Sequence, residues 1–172
     1  MPRHIIVKTY DPVWEQTYQL EKELITSILD QNLVEIHHIG STAVRGLSAK
    51  PIIDIMPVVK SLSEVDIVAN EFIKIGYECL GEFGIIGRRY MRKGGDERTH
   101  HIHIFQSNDK QNIERHLAVR DYLRSHKNEA RKYAELKTKL ALQFPYDIDG
   151  YCKGKEDFVQ ELESKAILWY RK

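Results

Sequence analysis

The chain has 172 residues, enough for one domain with a real core and no need of disulfide staples. Its 42% hydrophobic and 30% charged residues are those of an ordinary globular protein and exclude a disordered tail protein. Twenty-six Lys and Arg against 25 Asp and Glu leave a net charge of +1, so bulk attraction to nucleic acid or an anionic membrane is not expected, while a local basic patch stays open.

The first predicted element is a helix from about Pro12 to Asp30. Asp11 suits the N-cap and proline the first helical position, and Trp14, Tyr18, Ile25 and Leu29 recur at helical spacing. A short β-branched strand follows at Val34 to Ile39, stopped by Gly40. Pro51 to Val59 (PIIDIMPVV) reads as a strand buried on both faces. A helix from Glu64 to Ile75 is expected, capped by Ser63, and then strands at Tyr77 to Gly81, Arg88 to Arg92 and Thr99 to Phe105. Lys93 to Glu97 supplies hairpin-turn chemistry between the last two. The remainder predicts helices at Ile113 to Ser125, at Glu129 to Phe144 with Tyr133, Leu136, Leu140 and Phe144 in register, and at Asp157 to Tyr170. The expected architecture is α+β in a single domain over 1–172: a strand-rich part at about 34–106 forming a mixed sheet, an N-terminal helix, and a helical C-terminal part at about 112–172.

No apolar run approaches the roughly 18 residues of a membrane span. The opening MPRHIIVKTYDPVW lacks the order of features of a secretory signal. Cys79 and Cys152 form no CxxC pair, and both are expected to be reduced thiols of a cytoplasmic protein packed like small apolar residues.

Three stretches carry chemistry. In His38-Ile39-Gly40-Ser41-Thr42 a strand ends in Gly-Ser, which can present backbone N–H groups and hydroxyls together to a phosphate; a plain turn is the alternative. Asp54 stands among apolar neighbours, where an ionised carboxylate is costly unless a cation, a basic side chain or backbone donors pair with it. In Thr99-His100-His101-Ile102-His103-Ile104, alternation on a strand sends His100, Ile102 and Ile104 to the core and puts His101 and His103 together on the other face. There they could chelate a divalent cation, act as base and anion donor, or simply hydrogen-bond a half-exposed face. Among the basic residues Arg45, Lys50, Arg88, Arg89, Arg92, Lys93 and Arg98, Lys50 and Arg88 are the candidates for phosphate contact. Arg88, Tyr90 and Arg92 share one strand face, opposite to Arg89 and Met91. Arg120 to Arg124, Tyr151, Lys153 and Lys155 could lie over the cleft from the helical half, or form solvated helix faces.

HHIGSTAVRGLSAKPIIDIMPVV, RRYMRKGGDERTHHIHIFQ, VRDYLRSH and the closing AILWYRK resemble, in order and spacing, the GrpB family. That family is similar to the polymerase-β-like nucleotidyltransferases, and a GrpB-like domain is fused in some bacteria to dephospho-CoA kinase. The resemblance implies a nucleotidyltransferase-like sheet core. It also implies roles for Gly40, Ser41 and Thr42 with Lys50 and Arg88 as phosphate-binding residues, and for Asp54 as metal ligand and catalytic residue. The superfamily motif continues with a second acid two residues after the first, where this chain has Met56, and its third carboxylate is replaced here by His101 or His103. Two-metal phosphoryl transfer holds cations about 3.5–4 Å apart with carboxylates. One aspartate and two imidazoles suit a single divalent ion: Mg²⁺ or Mn²⁺, with Zn²⁺ as a further option. The expectation is a metal-dependent nucleotidyltransferase-like protein binding a nucleotide or another small phosphate-containing ligand, not a long nucleic acid. The alternatives are a non-catalytic nucleotide- or coenzyme-A-like binding domain and a metal-dependent hydrolase.

Overall fold

The computed structural model describes residues 3–172. Helix α1 (Val13–Leu29) opens with the Val13 amide donating to the Asp11 carboxylate at 3.0 Å, so Asp11 caps the start as its residue type predicts. Trp14, Tyr18, Ile25 and Leu29 form the buried stripe. Strands β1 (Leu33–Ile39), β2 (Ile53–Val59), β3 (Tyr77–Cys79), β4 (Arg88–Lys93) and β5 (His100–Gln106) make one mixed sheet of order β1-β2-β5-β4-β3, in which only β2 and β5 run parallel.

Alternation on the two central strands divides the sheet into unlike faces. Ile53, Ile55 and Val59 of β2 and Ile102 and Ile104 of β5 pack with Met91 against the α1 stripe, forming the main core. The other face carries Asp54, His101 and His103 at one end. At the other end Met56, Val58 and Phe105 pack with Ile39 under Ile113 and Leu117 of helix α4 (Lys110–Ser125). The apolar run of β2 is therefore buried on both sides, with a polar gap at Asp54. Among the described residues no helix is long and apolar enough to cross a membrane.

Two helix expectations are corrected. The segment expected as one helix from Glu64 to Ile75 is two short ones, α2 (Leu62–Ile67) and α3 (Ala69–Lys74), broken at Val68 (φ −97°, ψ 12°). Val65, Ile67 and Val68 are β-branched and crowd a continuous helix, while Val65 and Phe72 still reach the core from either side of the break. The cap is Ser61 and not Ser63: Ser61 is extended and its hydroxyl accepts from the Glu64 amide, whereas Ser63 already lies in the first turn.

The second correction bears on function. The last helix begins at Ile148, not Asp157. Helices α5 (Lys127–Gln143) and α6 (Ile148–Tyr170) lie close together, and Gly150 and Gly154 of α6 are contact points. A Cβ at Gly150 would stand 2.6 Å from the Phe144 ring, and one at Gly154 would collide with the Leu140 side chain. Asp147 caps α6 by accepting from the Gly150 amide at 3.0 Å. This early start places Tyr151 and Lys155 on a rigid helix.

Candidate functional site

The parallel pairing of β2 with β5 sets Asp54 directly beside His101, with His103 two residues further along the same face. The Asp54 carboxylate is 26% exposed, and its Oδ1 lies 3.0 Å from His103 Nε2 and 3.4 Å from His101 Nδ1. Burial works to raise the Asp54 pKa. The hydrogen bonds from His101 and His103 outweigh it and hold the carboxyl far below the usual carboxylate range. Asp54 is therefore an anion at any ordinary pH.

The hydrogen bonds assign the ring protons. Arg88 Nη1 lies 3.4 Å from His103 Nδ1, and a guanidinium only donates, so Nδ1 accepts and Nε2 carries the proton given to Asp54. His101 turns Nδ1 to the same oxygen and leaves its buried Nε2 without a partner. His116 of α4 closes this end with its ring 5.6 Å from that of His103. Burial, then His103, push its pKa down to about 3.

The phosphate-loop candidate begins where β1 stops. Gly40 has φ +73°, and a Cβ there would sit 2.8 Å from Asp54 Oδ2, so both backbone and space require glycine. Ser41 to Ala43 then make one 3₁₀ turn. The Ser41 hydroxyl accepts from Lys137 Nζ at 2.8 Å. Thr42 also lines the cleft, but its hydroxyl is engaged: it donates to the Ile52 carbonyl and lies 2.9 Å from His38 Nε2, tying the turn to the start of β2.

These parts enclose a cavity of about 270 Å³, lined by Gly40, Ser41, Asp54 and His101 from the sheet and by Lys50, Lys137 and Lys155 around Tyr133 and Tyr151. Lys137 is only 2% exposed, and Tyr151 is fully buried with its hydroxyl unpartnered. Lys50 and Lys155 lie over the Tyr151 ring, at 5.1 and 5.0 Å from its centroid, and Lys137 lies 4.3 Å from that of Tyr133. Among the described residues none of the three lysines has a carboxylate within salt-bridge distance. Burial first, and then Lys155 and Lys50, push the Lys137 ammonium down to about 7; burial and Lys155 push Lys50 down to about 8. Lys137 is thus buried, with Lys50 and Lys155 half-buried beside it, and among the described residues the cluster has no carboxylate partner.

Of the residues singled out from the sequence, Gly40, Ser41, Thr42, Lys50, Asp54, His101, Tyr151 and Lys155 meet at this cavity, with His103 beside Asp54. Arg88 does not line it. Its guanidinium donates to the carbonyls of Glu82 and Phe83, lies over the Tyr90 ring and touches His103, so it clamps the β3–β4 loop. Arg89, Arg92, Lys93 and Arg45 are paired with Asp66, Glu78, Glu21 and Glu15. Arg120 and Arg124 donate to the carbonyls of His38 and Ala43 on the far side of the turn. Sequence reasoning missed Lys137. The signal was available: Lys137 follows Tyr133 by four residues, on the apolar stripe of α5, where a cation is out of place.

Asp54, His101 and His103 each offer one ligand atom, all within 4.8 Å of one another. The donor set and spacing fit one divalent cation, better Mn²⁺ or Zn²⁺ than Mg²⁺. For His103 Nε2 to ligate, its proton must move to Nδ1, which requires Arg88 to withdraw. The second acid position of a two-metal site is closed: Met56 shares the face of Asp54 but is fully buried in the apolar cluster under α4.

A family model described as "GrpB protein" matches residues 4–165. The chain is 41% identical over 97% of its length to the UPF0157 protein YqkA of Bacillus subtilis, of which it covers 48%. It thus spans about half the length of that relative. It is 44% identical to a crystal structure of the conserved protein GrpB from Enterococcus faecalis, covering 97% of this chain and 100% of that one with a TM-score of 0.95. A likeness of fold alone, at 16% identity and a TM-score of 0.50, joins 72% of this chain to 41% of a Cid1 poly(U) polymerase crystallised with MgGTP.

Proposed function

The chain belongs to the GrpB family, with a nucleotidyltransferase-like fold, and we propose that its cleft binds a nucleotide or another small phosphate-containing ligand together with one divalent cation. The observation that carries this reading is Lys137: an almost fully buried ammonium, without a carboxylate, held on the Ser41 hydroxyl and facing a cavity that ends at Asp54. Phosphate oxygens satisfy such a group as no neutral ligand does. In this reading Lys137, Lys155 and Lys50 neutralise the phosphates, and the hydroxyls of Ser41 and Tyr151 fix their orientation. Asp54, with His101 and His103, holds the cation. When bound, the cation supplies Lewis-acid polarisation of a phosphoryl oxygen. An imidazole that ligates the cation has no lone pair left to act as a base, so whichever of His101 and His103 stays off the cation would accept the proton of an attacking hydroxyl. We place the protein in the cytoplasm, where such ligands are abundant.

Burial of Met56 among apolar side chains favours a second reading in the same cleft: a nucleotide- or coenzyme-A-like binding domain with no turnover. One experiment addresses both. Thermal melting of the wild type and Asp54→Asn is followed with each ribonucleoside triphosphate and with coenzyme A, with Mg²⁺, Mn²⁺ or no metal. A ligand at one hundred times its Kd stabilises by about 2.7 kcal/mol. The expected result is a metal-dependent rise with at least one ligand, lost in Asp54→Asn. The absence of any shift, or an equal shift in the variant, overturns the metal-assisted reading. Pyrophosphate release from the shifting nucleotide distinguishes transfer from binding alone.

A further inference from the structure

A second cavity, about 340 Å³, lies across Lys50 from the cleft. Its walls come from three separate parts of the chain: the N-terminal segment with Arg3 and Lys8, the Lys50–Ile52 segment leading into β2, and the β4–β5 turn with Glu97 and Arg98. Reciprocal backbone hydrogen bonds between Lys8 and Ala49, both 2.9 Å, hold the first two together. Lys50 lines both cavities.

Four cations, Arg3, Lys8, Lys50 and Arg98, and one acid, Glu97, line this cavity beside the apolar Ile5, Ile6, Pro51 and Ile52. Arg3 and Arg98 donate only to the backbone carbonyls of Asp96 and Gly95. Among the described residues no carboxylate lies within salt-bridge distance of Arg3, Lys8, Lys50 or Arg98. Asp96 and Glu97, the nearby acids, are exposed. The cations also form a series. Lys137 feels Lys155 and Lys50, Lys50 feels Lys155 and Arg3, and Arg3 feels Arg98, each after the larger effect of burial. A row of cations therefore runs from the Ser41 turn, past Lys50, to Arg98, with Asp96 acting against the burden on Arg3 and Asp54 against that on Lys50 from beyond salt-bridge distance.

We propose that the second cavity is a subsite for a second phosphate-bearing small molecule, such as a nucleoside monophosphate, bound beside the ligand of the cleft. Its phosphate lies on Arg3, Lys8 and Arg98, and Lys50 touches both ligands. The volume falls in the range of small-ligand pockets, about 300–1,000 Å³. The position, separated from the Asp54 end of the cleft by one lysine, suits an acceptor brought up to a donor. That last assignment rests on the reading of the cleft as a phosphate site; the subsite itself rests on its own cations.

The test is calorimetric titration of 5′-AMP into the full chain, with the cleft first saturated by a non-hydrolysable ATP analogue and Mn²⁺. The wild type is expected to take up one equivalent of AMP. Arg3→Gln/Arg98→Gln is expected to bind AMP at least tenfold more weakly while binding the ATP analogue within twofold of wild type. Both arginines hold only backbone carbonyls, so the variant should fold, and its melting temperature checks this. Lys137→Met is expected to lose the ATP analogue and keep AMP. Absence of an AMP equivalent in the wild type, or equal AMP affinity in the double variant, overturns the subsite. If Lys137→Met retains the ATP analogue while the double variant loses AMP, the cleft reading fails and the subsite stands.

Discussion

Lys137 Nζ donates to Ser41 Oγ at 2.8 Å across 96 residues of sequence. The contact joins the turn that ends β1 to the helical half, and it makes the cleft a product of both. The sheet and the segment leading into β2 supply the carboxylate, the imidazoles and Lys50, and the helices supply Lys137 and Lys155.

Lys137→Met should therefore separate stability from function. The ammonium is buried without a counter-charge, and replacing such a group by an apolar side chain of similar length is often neutral or stabilising. The free protein should become more stable at pH 7, by about 1 kcal/mol, as measured by urea unfolding. The same variant should lose the stabilisation given by nucleotide. A variant that is destabilised and still responds to nucleotide would show that Lys137 is held by contacts other than those described.

Ligand binding should take up protons at pH 8. Lys137 lies near 7 and Lys50 near 8 in the free protein, because burial and neighbouring ammonium groups oppose their charge. At pH 8 Lys137 is mostly neutral. A bound phosphate reverses the field and restores the proton, so about one proton should be taken up per phosphate ligand bound. Calorimetry in buffers of different ionisation enthalpy reads this number directly. The uptake should fall in Lys137→Met and shrink toward zero by pH 6, where both lysines are already charged. Uptake unchanged between pH 6 and 8 would refute the depressed lysine.

Gly40→Ala should damage the metal end without replacing any of the side chains that would hold the cation. The left-handed backbone at φ +73° strains alanine, and the new Cβ would stand 2.8 Å from Asp54 Oδ2. The carboxylate has to move away from His101 and His103 or the turn has to shift. The expected cost is about 1–2 kcal/mol in stability. Mn²⁺ affinity should drop with it, read by the paramagnetic signal of free Mn²⁺. A variant with wild-type affinity would mean that Asp54 is free to rotate, contrary to its two hydrogen-bonded neighbours.

The pieces of this site differ in how far the sequence discloses them. Asp54, His101 and His103 were legible because strand alternation is local: an acid in an apolar run and an HxH repeat declare a polar face wherever the strands lie. Their meeting depends on the parallel register of β2 with β5, which no local pattern specifies. Tyr151 and Lys155 were legible as residue types, but the helix that carries them, with Gly150 and Gly154 in its first two turns, was not. Those glycines serve close packing against Phe144 and Leu140, a tertiary cause that overrides helix propensity. Arg88 is the opposite case. Its charge suggested phosphate, but the loop folds back so that Glu82 and Phe83 take its donors.

His38 should make the protein sensitive to acid from the side of the turn opposite the cleft. Its ring is buried and stacked on Tyr18 at 4.6 Å, with Arg120 and Arg124 nearby. Burial is the main cause of its pKa falling to about 4; the two arginines add to it and Asp54 opposes it. The folded state thus prefers the neutral ring, while the unfolded chain protonates near 6.5. Between these values the unfolded state binds more protons, so stability rises with pH through this window and is lost as pH falls from 6.5 toward 4. The loss should approach about 3 kcal/mol. His38→Gln keeps a donor for Thr42 and cannot titrate. Its unfolding free energy should therefore be lower at pH 7 but flatter between pH 6.5 and 4 than that of the wild type. Parallel profiles for the two proteins would assign the acid sensitivity to other groups, with His116 next in line because it too is held neutral beside His103.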